Sequence, residues 1–489
     1  MSVEGSTGHI GGQAVRSGRP AGEAMGAGEA VAGKAGEAVA GKAGEAVAGK
    51  AGEAVAGKAG EAVAGKAGEA VAGKAASSAG RPLRPGGPAA FVDAEAALAL
   101  AVELVQARSV FDGAGGCERE AAEVVLRTMR GWGWSPVVDE VAPGRPNLVV
   151  TVEGGGGPGP VLAFEGHLDV VTEGDPAAWT VGPFAGEIRD GRLYGRGAAD
   201  MKSGVAAMLH AVRALELSGP FPGAVRLLVL VDEEGMMLGA KRAVSSGALA
   251  GVSAVICCEP EGDEVCPVSK GAVRLRVDLD GQITHGAMPE LGRNPILALG
   301  RLLGAVEALE ARLQREVQAH PFLGKNYVTP TVVTAGNPEQ MNTSPPRASL
   351  YLDVRTIPGV DHVSLVASVR AEAEALASAA GLSASVTVID ERPPVDTPAT
   401  DPLVTCLLDV HERVTGTRPA LGGVPGTTDG TIIARDTGLP TVVYGPGGKW
   451  IAHQADEWVA VEEVSRYARV YAEAAFAYLN MPSARRFRE

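Results

Sequence analysis

An α/β fold with a mainly parallel central sheet, interrupted by a ferredoxin-like α+β insertion and preceded by a disordered repeat tail, is what three features of this 489-residue sequence predict. First, four short apolar runs rich in β-branched residues, Val161–Phe164, Val225–Val231, Ala254–Cys258 and Thr441–Tyr444, read as buried strands of a parallel sheet. Second, between the third and fourth runs the texture changes to segments that alternate apolar and polar residues around amphipathic helices. Third, residues 28–75 are six copies of Gly-Glu-Ala-Val-Ala-Gly-Lys-Ala.

The repeat carries two glycines per octad, which disfavours helix, and one valine, which buries too little surface to offset the entropy of ordering. Residues 1–88 are therefore expected to be a disordered low-complexity tail; eight residues is too short for a solenoid unit. The folded part begins near Ala89, with Asp93 as candidate N-cap for a helix presenting Leu98, Val102 and Val105. A second helix follows from Glu118 to Met129, ended by Gly131, then strands from Asn147 to Val152 and Pro160 to Phe164. The glycine run 154–159 between them lacks the Gly-Lys-Ser/Thr ending of a phosphate loop and reads as a flexible connection. A helix is expected from Met201 to Leu215, which puts Asp200 at a helix N-terminus and leaves His210 as a surface or packing residue. In the insertion, strands are expected from Val273 to Asp280, Ala348 to Asp353 and Ala384 to Asp390, with helices from Asn294 to Gln314 and His362 to Ala380. That pattern, one strand short of four, is read as a βαββαβ unit. The sheet resumes with Pro440 to Tyr444, and a helix from Val461 to Leu479 closes the chain. The implied division is 1–88 tail, 89–271 first part of the catalytic domain, 272–391 inserted lid, and 392–489 second part.

The ends of the apolar runs carry the chemistry. Val161–Phe164 runs into Glu165-Gly166-His167-Leu168-Asp169, Val225–Val231 into Asp232-Glu233-Glu234-Gly235, Ala254–Cys258 into Glu259-Pro260, and Thr441–Tyr444 into a glycine-rich loop and His453. Ligands in parallel sheets gather outside the carboxyl ends of the strands. Asp200 adds a fifth metal-type ligand after Gly195-Arg196-Gly197. His167 and Asp169 are two residues apart and share a face, so Asp169 is placed to accept the second ring N–H of a metal-bound imidazole. Taken alone, His167 reads equally as a core histidine beside a solvated aspartate, and Asp200 as a bare N-cap; the recurrence of the design favours metal.

Composition narrows the partners. A net charge of −14 without a Lys/Arg-rich block disfavours nucleic acid and anionic membrane, which leaves a small-molecule substrate. Five cysteines without a spaced framework, two of them inside an expected strand, point to a reduced compartment, and no run reaches transmembrane length. The expectation is a soluble cytoplasmic protein.

Five motifs stand in register: Gly166-His167-Leu168-Asp169, Gly195-Arg196-Gly197-Ala198-Ala199-Asp200-Met201-Lys202, Asp232-Glu233-Glu234-Gly235, Glu259-Pro260 and Ala452-His453. With them the chain from Ala89 onward resembles the two-zinc amidohydrolase and exopeptidase family of aminoacylase, acetylornithine deacetylase, succinyl-diaminopimelate desuccinylase and glutamate carboxypeptidase. The resemblance implies two divalent ions per chain, zinc with cobalt or manganese as alternatives. It implies that His167, Asp200 and Glu259 hold one ion and Glu234, Asp200 and His453 the other, with Asp200 bridging. Glu233 would then be the general base for a water shared by metals about 3.5–4 Å apart, and Asp169 the partner of His167. A cis peptide after Asp200 is implied as well.

In the insertion, Gly281–Gly286 with Pro289 and Gly292–Asn294 resembles the segment whose histidine, here His285, reaches a neighbouring subunit's active site and stabilises the oxyanion. Asn342-Thr343-Ser344-Pro345 and Asp353-Val354-Arg355 resemble the segments whose Asn and Arg bind the substrate carboxylate, which a guanidinium fork suits. Gly426-Thr427-Thr428-Asp429 resembles the substrate-facing loop. A homodimer through the lid follows, as does amide hydrolysis of an N-acyl amino acid with a free carboxylate. A dipeptidase or carboxypeptidase, an N-carbamoyl-amino acid hydrolase and a catalytically silent metal-binding relative are the competing readings; the intact Glu233 argues against the last.

Overall fold

A computed structural model of the chain describes residues 86–110 and 117–482. The disorder expected for 1–88 concerns, up to residue 85, residues outside that range.

A nine-stranded mixed sheet forms the body. Its order is Val137–Ala142, Arg145–Glu153, Ala224–Leu230, Val161–His167, Val252–Cys257, Thr441–Val443, Glu264–Ser269 and Val395–Asp396, with Ala420–Val424 branching onto Glu264–Ser269. The middle run from Ala224–Leu230 to Thr441–Val443 is parallel throughout, and the flanking pairs on this path are antiparallel. Period-two alternation assigns the faces. Leu162, Phe164, Val225, Leu227, Val229 and Ile256 pack under helices Ala94–Gln106, Ser203–Ser218, Pro402–Thr415 and Val461–Leu479. Ala163, Leu228, Leu230, Val255 and Cys257 pack under Leu238–Ser245 and Asp429–Thr437 on the other side. The chain has few aromatic residues, and it concentrates three tyrosines, Tyr444, Tyr467 and Tyr471, behind the strand ends, with ring centroids 4.8–5.9 Å apart.

The insertion is a four-stranded antiparallel sheet, ordered Tyr327–Ala335, Arg347–Thr356, Gly271–Asp280, Ser383–Arg392, with Pro295–Glu316 and His362–Ala379 packed on it around a separate core. Chain order gives βαββαβ. Its fourth strand, Tyr327–Ala335, has no counterpart among the strands read from sequence. Pro330 sits within it and cannot donate to a ladder; the structure accommodates it at the sheet edge, with an irregularity between Pro330 and Val332.

Two further readings change. The glycine run after Glu153 is not a loose connection: Gly154 and Gly156 hydrogen-bond to Gly223 and Phe221, and a Cβ on Gly154 would stand 2.0 Å from the Phe221 carbonyl oxygen. Glycine is needed there for close backbone approach. The helix after Asp200 starts at Ser203, preceded by a wide turn Ala198–Lys202 in which Asp200 is extended (φ −115°, ψ 97°), so Asp200 is not at an α-helical N-terminus. His210 is buried, edge-on to Trp132 at 5.0 Å. Asp93 caps its helix as expected, accepting from Ala96 N. Four of the five cysteines are buried, Cys117 is exposed, and all are free. Among the described residues, no helix is long and apolar enough to cross a membrane.

Candidate metal centre

The carboxyl ends of the parallel strands bring His167, Asp200, Glu234, Glu259 and His453 together. His167 ends its strand fully buried, with Nε2 3.3 Å from Asp200 Oδ1 and 3.4 Å from Glu259 Oε1. His453, on the loop after Thr441–Val443, places Nε2 3.3 Å from Asp200 Oδ2 and 2.9 Å from Glu234 Oε1. Two potential ligand triads result, His167/Asp200/Glu259 and Asp200/Glu234/His453, with Asp200 in both. The peptide between Asp200 and Met201 is cis.

The donor set fits divalent ions on three counts. His167 Nδ1 lies 2.9 Å from the backbone oxygen of Asp169, which can only accept; Nδ1 therefore carries the proton, and the lone pair of Nε2 faces Asp200 and Glu259. Buried His167 Nε2 and Asp200 Oδ1 have no hydrogen-bond partner, which a cation between them would supply. Spacings of 3.3–3.4 Å match the edge of a tetrahedron whose corners lie about 2.0–2.1 Å from its centre.

Electrostatics agree. Burial opposes the charge on Asp200, but the His167 and His453 imidazoles beside it outweigh burial and hold the carboxyl well below its usual range. Burial, reinforced by the Asp200 charge, pushes Glu259 well up; burial, reinforced by Glu259, does the same to Glu233. Hydrogen bonds to Asp200 and Glu234 raise His453 to about 10. Negative charge accumulates here in excess of the imidazoles that meet it.

Glu233 lies beside the cluster but belongs to neither triad. The turn that carries it is fixed by Asp169, whose carboxylate accepts from Glu233 N (3.1 Å) and Glu234 N (3.0 Å). This corrects the expectation for Asp169: its carboxylate lies 3.6 Å from the His167 ring, too far for a hydrogen bond, and its backbone carbonyl is what meets the imidazole. Asp232, in a left-handed conformation (φ 68°), accepts from Met236 N and Leu238 N and is held by Arg145, which forks onto buried Glu118.

The other residues singled out in the sequence are placed as follows. His285 and Asn342 come together on a two-stranded ribbon, where His285 pairs with Thr343 and Gly286 N donates to Asn342 O. Both are exposed. The hydrogen bonds of the His285 ring stay within its own loop, Ala287 N donating to Nδ1. Arg355 forks onto Asp353 through Nε and Nη2. Thr427 accepts from Arg392, which also donates to the Gly235 carbonyl. Among the described residues none of these four hydrogen-bonds to the carboxylate cluster.

The model of peptidase family M20/M25/M40 matches residues 163–477, a stretch that contains every residue of both triads. The chain belongs to this family. Succinyl-diaminopimelate desuccinylase from Methylorubrum extorquens is 34% identical over 394 residues, covering 78% of this chain and 98% of its own. The enzyme of that name from Rhodospirillum centenum is 34% identical over 325 residues, covering 65% and 81%. Among solved structures, aminopeptidase PepT from Bacillus cereus aligns with a TM-score of 0.65 at 21% identity, covering 80% of this chain and all of that one. A dinuclear metal-binding M20 peptidase from Bacillus subtilis aligns at 0.61 and 19%, covering 80% and 99%. These M20 structures share the fold, and the protein is a metal-dependent hydrolase.

Sequence reading missed Arg145, Arg196 and Glu457, all buried and hydrogen-bonded to the site's loops, and buried Glu118, which holds Arg145. Arg196 lay inside a recognised motif. Glu457, in Gln-Ala-Asp-Glu-Trp, carried no signal that separated it from a solvated acidic turn.

Proposed function

We propose that the protein hydrolyses the amide bond of an N-acyl amino acid bearing a free carboxylate, with N-succinyl-diaminopimelate-like compounds as the leading substrate class. The observation that carries this is the pair of ligand triads sharing Asp200, with Glu233 beside them and outside both. The desuccinylase relatives at 34% identity support the substrate class. Two divalent ions, zinc or alternatively cobalt or manganese, would polarise the scissile carbonyl and acidify the attacking water.

Glu233 receives the proton of that water and passes it to the leaving amine. Its burial, which disfavours the charged carboxylate, makes it a stronger base than an exposed glutamate. Asp169 keeps Glu233 and Glu234 in register through their backbone N–H groups. Residues 272–391 act as a lid and join two subunits. The exposed edge strand Tyr327–Ala335, with Val332 and Val333 about half exposed, supports that role, and the partner subunit's His285 donates to the developing oxyanion. Arg355 keeps Asp353 on Nε and Nη2, which leaves Nη1 for the substrate carboxylate; Asn342 and Thr427 add polar contacts. The test is an assay of the purified, metal-supplied chain against N-succinyl-diaminopimelate, acetylornithine, N-carbamoyl amino acids and a dipeptide panel. Selective turnover of the first supports the proposal, and turnover confined to dipeptides defeats it.

A further inference from the structure

The two triads share one carboxylate, so the position of Asp200 bears on both of them, and its position relative to His453 on the second. The Ala198–Lys202 turn departs from helical geometry at Asp200 and Met201, with Lys202 N donating to Gly197 O across it. The N–H groups of Ala199 and Asp200 in this turn are met by a side chain from the far end of the chain. Glu457 Oε1 accepts from Ala199 N at 2.9 Å and from Asp200 N at 3.0 Å. Its Oε2 accepts from Arg196 Nη1 at 2.5 Å, and Arg196 Nη2 lies 3.4 Å from the carbonyl oxygen of His453. The Glu457 backbone belongs to the same junction, since its carbonyl accepts from Gly195 N and the strand it opens, Trp458–Ala460, pairs with Arg192–Tyr194. Between Glu457 and His453 the chain turns through two left-handed residues, Asp456 (φ 54°) and His453 (φ 64°).

We infer that Glu457, backed by Arg196, is a positioning residue that locks the shared carboxylate of Asp200 to the loop carrying His453. Both side chains are buried, at 0% and 3% exposure, so each neutralises a charge that would otherwise be stranded. An N–H acceptor alone would not need a carboxylate. A glutamine could take the two backbone donors, but its amide would face the Arg196 guanidinium donor to donor. The carboxylate serves both sides at once, and Arg196 passes the constraint to the His453 segment. Groups behind the ligands of a metal site typically tune its affinity about 10–100-fold.

The inference rests on the two-ion reading proposed above, and one experiment separates the two. Metal-free full-length protein is titrated with zinc against a chromogenic chelator, and melting temperatures are recorded with and without metal. Wild type binding fewer than two ions removes the two-ion reading, and this inference with it. If wild type binds two, Glu457→Ala is expected to bind both about 10–100-fold more weakly, with a smaller gap between metal-free and metal-loaded melting temperatures. Glu457→Gln, which keeps an acceptor for the two N–H groups, is expected to fall between them. A purely structural role predicts a lower melting temperature in the metal-free state with wild-type zinc affinity, and that result overturns the inference. Should Glu457→Ala fail to fold, Glu457→Gln and Arg196→Lys carry the same comparison: weaker zinc binding supports the lock, and wild-type binding refutes it.

Discussion

The adjacent glutamates at 233 and 234 offer a test in which neighbouring, chemically identical side chains should behave in opposite ways. Glu234 Oε1 lies 2.9 Å from His453 Nε2 and belongs to a triad, whereas Glu233 belongs to none. Replacing Glu233 by Gln preserves shape and the backbone hydrogen bond to Asp169 while removing the proton acceptor. Loss of a positioned general base costs about 10²–10⁴-fold in rate, or roughly 3–5 kcal/mol of barrier. Stability should not fall with it. Burial and the Glu259 charge already press against an ionised Glu233, and a neutral amide escapes both. The expected result is kcat reduced by at least about a hundredfold, two ions retained, and a melting temperature at or above that of wild type. Glu234→Gln should instead lose one ion on dialysis. Assays of kcat beside elemental analysis of the same samples decide the matter. If Glu233→Gln sheds an ion while Glu234→Gln keeps both, the base and the ligand are the other way round; if Glu233→Gln retains most of its turnover, Glu233 is not the base.

Other parts of the molecule carry expectations of their own. Burial lowers the His210 pKa from 6.5 to about 4, so the unfolded chain binds more protons between those values and stability falls as the pH drops through that window. The difference amounts to about 3 kcal/mol in full, and unfolding of wild type and His210→Gln should converge by about that much between pH 7 and pH 4; parallel curves would contradict it. Every residue of both triads lies between 167 and 453, so deleting residues 1–85 should leave kcat/KM within about twofold, and a tenfold loss would show that the repeats act on the site. Mixing Glu233→Ala with His285→Ala subunits should restore about a quarter of wild-type activity, because half the dimers are mixed and each of those has one intact site. Demonstrated subunit exchange without recovery would rule out a histidine supplied across the interface.

Much of the fold and the site was legible in the sequence where a local pattern has one physical solution. Continuous β-branched runs gave the parallel strands, and residues at their carboxyl ends gave the cluster, because strand direction alone decides on which edge His167, Glu234 and Glu259 emerge. Readings failed where a residue's role depends on a partner distant in sequence. Pro330 concealed a strand because its place at a sheet edge is a tertiary fact. The run after Glu153 looked loose because its glycines answer to the Phe221 backbone rather than to each other. Asp169 was matched to the nearest imidazole, whereas its carboxylate serves two N–H groups more than sixty residues away. Glu457 is the extreme case, meeting Asp200 across 257 residues.

The central claim is that Asp200 is shared by two metal sites. The most direct measurement is the metal content of purified, metal-replete enzyme by elemental analysis, alongside activity during graded removal by a chelator. The account predicts two ions per chain, loss of activity as they are withdrawn, and recovery on adding zinc, cobalt or manganese. Full activity with at most one ion per chain would contradict it.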